Sequence, residues 1–85
     1  MRNYITGRLG YNPGNCRYGL LVMDLWEHSG FHCRERLEVK VGSKWVRTRM
    51  EMDMEKNWYL VGTPYHGNLE FVQARMEKEK AFVAR

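Results

Sequence analysis

Two cysteines and two prolines are all that the 85 residues contain. Cys16 and Cys33 are too few for a disulfide scaffold. No apolar run approaches the roughly 20 residues that span a bilayer. The longest is Gly19-Leu20-Leu21-Val22-Met23, so no membrane association is expected. The opening MRNYITGRLGYN lacks the apolar stretch of a secretory signal, which predicts a cytoplasmic protein with reduced thiols. Gly7 and Gly10 lack the Lys-Ser/Thr that completes a phosphate-binding loop. No Cys-x-x-Cys pair anchors Cys16, His28, His32 and Cys33 as zinc ligands. Nothing in the spacing forces Cys33 onto His28 or His66 as a nucleophile and base. Glu51, Asp53 and Glu55 alternate through a polar turn, where carboxylates serve solvation. The sequence therefore predicts no enzyme, no metal and no cofactor.

What is present is a core. The hydrophobic fraction is 44%, with three Trp, five Tyr and three Phe, too apolar and aromatic for a disordered chain. The length allows one domain over residues 1–85, with a frayed or helical tail at 77–85. The formal charge is +4 and is unevenly placed. Residues 1–49 hold nine basic against four acidic groups, and residues 50–85 hold five against six. A positive field assists encounter with nucleic acid or with an acidic protein face.

The dominant pattern is period-two alternation. Arg36-Leu37-Glu38-Val39-Lys40-Val41 alternates strictly, and Gly42-Ser43 reads as a two-residue type II′ turn. The return strand from Lys44 to Glu51 sends Val46, Thr48 and Met50 inward with Leu37, Val39 and Val41. Trp45, Arg47 and Arg49 then lie outside with Arg36 and Lys40. Tyr4–Tyr11 and Arg17–Met23 form a hairpin about Asn12-Pro13-Gly14-Asn15. Trp58–Val61 is apolar on both faces, as a covered central strand is. Leu69–Met76 closes the set, with Leu69, Phe71 and Gln73 on one side and Glu70, Val72 and Ala74 on the other. Residues 24–35 read as a long connection with one helical turn at Leu25–His28. The expected fold is mostly β: a small SH3-like or related curled barrel of five to six short antiparallel strands. The alternative is an α+β arrangement with a short helix near residues 20–28.

A family resemblance enters through the central residues. Leu37-Glu38-Val39, the Gly42-Ser43-Lys44-Trp45 turn, the Thr48-Arg49-Met50-Glu51 strand and Trp58-Tyr59-Leu60-Val61-Gly62 carry it. Together they resemble a small uncharacterised bacterial domain family of Firmicutes and their mobile elements. Gly7-Arg8-Leu9 and Arg17-Tyr18 extend the resemblance to roughly residues 7–75, and Phe31-His32-Cys33-Arg34-Glu35 departs from it. The resemblance implies one compact β-rich domain and assigns no catalytic residue. It also implies a mobile-element setting, where small DNA-handling proteins and small inhibitors of host proteins both occur.

The candidate binding residues are Arg36, Lys40, Trp45, Arg47, Arg49, Trp58 and Tyr65. Arg and Lys suit phosphates, and an indole among them suits a stacked base. Trp58 and Tyr59 face opposite sides of one strand, so one of them is free to form a surface. Tyr65 sits in the turn-rich Thr63–Asn68 loop. The expected function is a non-catalytic nucleic-acid-binding module. The alternatives are a protein-interaction module or inhibitor, with homodimerisation compatible with either.

Overall fold

A computed structural model describes residues 3–78, and the tail from residue 79 lies outside the described residues. Seven strands form one antiparallel sheet: β1 Tyr4–Asn12, β2 Arg17–Val22, β3 Leu25–His28, β4 Arg36–Val41, β5 Lys44–Met52, β6 Trp58–Leu60 and β7 Gln73–Glu77. Their spatial order is β3-β2-β1-β7-β4-β5-β6. The described residues contain no helix, so the α+β alternative is overturned. None of them forms a helix long and apolar enough to cross a membrane.

Leu25–His28 pairs with β2 because Met23 and Asp24 make a tight turn with φ of 52° and 65°. Those are the two left-handed positions of a type I′ hairpin turn, which usually takes Asn-Gly. Met-Asp carries no such signal, so β3 replaces the long connection and helical turn expected there without any local mark in the residues.

The β4–β5 hairpin follows its alternation. Val41 opposes Lys44 across Gly42-Ser43, and the pairing runs back to Arg36 opposite Arg49. Gly42 has φ of 64° and Ser43 does not take positive φ, as a type II′ turn requires. Leu37, Val39 and Met50 are buried with Leu9, Leu20, Phe31, Leu60, Leu69 and Ala74.

The last strand departs from expectation. A turn at residues 69–72, with Val72 N–H donating to Leu69 O, puts Phe71 at φ 69° and shifts the alternation. Val72 and Ala74 are buried, while Phe71 is 71% exposed. The expected grouping of Leu69 with Phe71 and Gln73 on one side is thereby broken: Leu69 is buried, and Phe71 and Gln73 are exposed.

The sheet curls without closing its ladder. Trp58 Nε1–H donates to Cys16 O at 3.1 Å and Tyr18 O–H to Gly67 O at 3.4 Å, drawing β6 towards the β1–β2 turn. β6 is last in the order rather than central, yet residues 65–67 cover its outer edge. Leu60 N–H donates to Tyr65 O, and Gly67 N–H to Trp58 O. β3 ends the other side of the sheet.

Candidate functional site

The outer face of β7-β4-β5 gathers the charge. Across β4–β5, Arg36 stands opposite Arg49, Glu38 opposite Arg47 and Lys40 opposite Trp45. Arg75 of β7 stands opposite Glu38 on the other flank. Five of the sequence-derived candidates therefore share one surface: Arg36, Lys40, Trp45, Arg47 and Arg49. Period two brought them there.

Glu38 is the hub of this face. Its side chain is only 14% exposed, and its Oε1 accepts from Arg75 Nε at 2.9 Å and Nη2 at 2.7 Å. Its Oε2 accepts from Tyr4 O–H at 3.3 Å and lies 3.9 Å from Arg47 Nε. The Arg75 guanidinium is sandwiched, 3.9 Å from the Tyr4 ring centroid and 4.4 Å from that of Trp45. Lys40 Nζ lies 5.3 Å from the Trp45 ring centroid. Cation–π contact of this kind contributes about 0.5–2 kcal/mol and holds the indole in place. Trp45 is thus a half-buried, engaged ring and not a bare platform.

Charge on the face is compensated unequally. Arg49 Nε reaches Glu51 Oε2 at 3.1 Å. Arg36 and Lys40 meet no carboxylate among the described residues. A groove of about 680 Å³ is lined by Tyr4, Arg36, Glu38, Arg47, Arg49 and Arg75, with apolar walls from Leu37 and Val61.

Trp58 and Tyr65 stand apart from it. Trp58 is buried at 8% exposure, with Arg17 5.4 Å from its ring centroid. Tyr65 packs against the core and donates its hydroxyl to Lys40 O at 2.6 Å. It is Tyr59 that is left half-buried beside the imidazole of His66. Sequence reasoning missed Tyr4, Glu38 and Arg75, because β7 inserts between β1 and β4 through pairing remote in the chain.

Residues 7–76 match DUF5348, a domain of unknown function. The chain belongs to this family. DUF5348 accounts for β1 from Gly7 through β7 to Met76, and so for nearly all of the sheet and its charged face. No curated protein and no solved structure matches the chain.

Two of the three imidazoles of this DUF5348 chain, those of His28 and His66, are bonded to carboxylates. His28 Nε2 meets Glu35 Oε2 at 2.7 Å while its ring stacks on Phe31, and His66 Nε2 meets Asp53 Oδ2 at 2.7 Å. Among the described residues no three of His, Cys, Asp and Glu gather as metal ligands. Burial pushes the Glu35 carboxyl up, but hydrogen bonds from the His32 amide and His28, with the charges of both rings, outweigh it and hold it low. The Asn57 amide and His66 hold Asp53 low, helped by the Glu55 amide. A lowered folded value gives stability that is present above the unfolded value and is lost as pH falls through the folded one. Denaturant midpoints are therefore expected to fall progressively as the pH drops below about 5. Glu35→Gln with Asp53→Asn should flatten that acid limb; an unchanged slope would refute the assignment.

Proposed function

We propose that this chain is a non-catalytic module that binds single-stranded nucleic acid across the β7-β4-β5 face, as an accessory protein of a bacterial mobile element. The observation that carries the binding reading is the direct opposition of Arg36 and Arg49. Like charges directly opposed across a ladder are destabilising. Glu51 answers only Arg49, so an external anion between the pair removes the repulsion. Phosphates spaced along a backbone supply such anions, and Arg47 and Lys40 continue the basic path along the hairpin. The face is short, and no described helix is present to enter a major groove, which favours a flexible single strand. The mobile-element setting is supported by the sequence resemblance alone.

The alternative, a protein-interaction module, is favoured by a separate observation. Among the described residues no strand pairs with the outer edge of β3, where Leu25 is 73% and Trp26 41% exposed, and open apolar edges add strands from partners or from a second copy.

Titration of labelled single-stranded DNA and RNA at two salt concentrations separates the two. Four phosphate contacts on a single strand predict roughly a 50-fold loss of affinity for a fourfold rise in salt. Absence of binding to either strand at about 50 mM salt sinks the nucleic-acid reading.

A further inference from the structure

Phe71 is anomalous in two independent ways. Its φ of 69° lies in the left-handed region, which a bulky side chain occupies only under strain. The residue is 71% exposed, so burial returns little for that strain. Asparagine or glycine adopts the same backbone more readily. A residue that is unfavourable for the backbone and poorly covered in the free chain is explained if something covers it in the working state.

The surroundings name the occupant. Phe71 and Lys40 line one shallow groove of about 330 Å³, together with Gln73, Tyr65 and Glu70, whose carboxylate accepts from the Tyr11 amide at 2.8 Å. Lys40 also reaches the Trp45 ring, so this groove adjoins the basic face. Arg8 Cζ lies 5.4 Å from the Phe71 ring centroid. Trp45 has both Arg75 and Lys40 against its ring, whereas Phe71 is largely open and has Arg8 alone beside it, itself paired with the exposed Asp24 at 2.8 Å. An aromatic ring in a positive setting suits a nucleobase, whose π-face stacks on it while its phosphates meet the neighbouring cations.

We infer that Phe71, rather than Trp45 or Trp58, is the base-stacking residue, and that a bound strand runs from the Arg36–Arg49 pair past Lys40 to the Phe71 groove. The inference rests on the nucleic-acid reading. It adds the position at which a base is held and the direction of the strand across the sheet.

The test measures Phe71→Asn and Phe71→Tyr against the unaltered chain, by thermal melting and by titration of a labelled single-stranded oligonucleotide at two salt concentrations. Phe71→Asn is expected to melt about 4 °C higher as strain is relieved. It should bind about tenfold more weakly, with an unchanged salt dependence because no cation is lost. Phe71→Tyr keeps a stacking ring and should bind as the unaltered chain does. Unaltered affinity in Phe71→Asn overturns the inference, and so does a lower melting temperature, which would show that Phe71 stabilises the free chain. Failure of the unaltered chain itself to bind refutes the underlying reading instead, and the two failures are thereby told apart.

Discussion

Arg47→Glu combined with Arg49→Glu is expected to weaken nucleic-acid binding by about two orders of magnitude while the domain stays folded. Each reversal changes the charge by two units. At about 6 Å in water each unit of charge contributes about 0.7 kcal/mol against a phosphate. Four units amount to about 2.8 kcal/mol, which is on the order of 100-fold in affinity at low salt. The salt dependence should weaken in parallel, because two counterion-releasing contacts are gone. The side chains of Arg47 and Arg49 are 77% and 51% exposed, and each meets one carboxylate, at 3.9 and 3.1 Å. Their partners Glu38 and Glu51 are 14% and 22% exposed, but Glu38 keeps Arg75 and Tyr4, so a loss of about 1 kcal/mol per pair leaves the domain folded. The pair Arg47→Gln and Arg49→Gln should fall between the two in affinity. Binding that is indifferent to both double variants would place the ligand elsewhere on the molecule.

Gly7→Ala is expected to destabilise the whole domain. A Cβ at Gly7 would stand 2.0 Å from Leu21 O and 3.0 Å from Leu21 C. Both are backbone atoms, so no rotamer change relieves the clash. β2 lies this close where its pairing with β3 shifts register between Leu20 and Leu21. Separating β1 from β2 would disturb Leu9 and Leu20, which oppose each other and are fully buried. Overpacking of this kind costs about 3 kcal/mol or more. A domain this small has a total stability on the order of 5 kcal/mol. Urea titration should therefore show most of the stability lost. Gly14→Ala is the control, since its nearest neighbour would be only the Asn12 side-chain oxygen at 3.1 Å. A Gly7→Ala midpoint equal to that of Gly14→Ala would show that β2 moves aside freely.

Both predictions rest on the division of the sheet into an inner and an outer face. Along β4 and β5 that division was legible in the residues. Leu37, Val39 and Met50 are buried, and Arg36, Arg47 and Arg49 are exposed, as alternation requires. It was not legible along β7, where the turn at Phe71 changes parity before the strand begins. Trp58 and Tyr65 looked equally available for binding. Trp58 is drawn under by the Cys16 carbonyl, 42 positions earlier in the chain, and Tyr65 by the carbonyl of Lys40.

The amino-acid sequence by itself determined the β4–β5 hairpin, its turn and the placement of five candidate residues on one surface. These depend on neighbours a few positions apart, and side-chain alternation in a strand is a local property of the backbone. Tertiary structure alone decided that β7 lies between β1 and β4, that Glu38 joins Arg75 and Tyr4, and that the Phe71 ring is left exposed. Those outcomes require strands more than 30 residues apart to meet, as Arg75 and Glu38 do across 37 positions. Which distant strands meet is set by how the whole core packs, and no short stretch of residues carries that information.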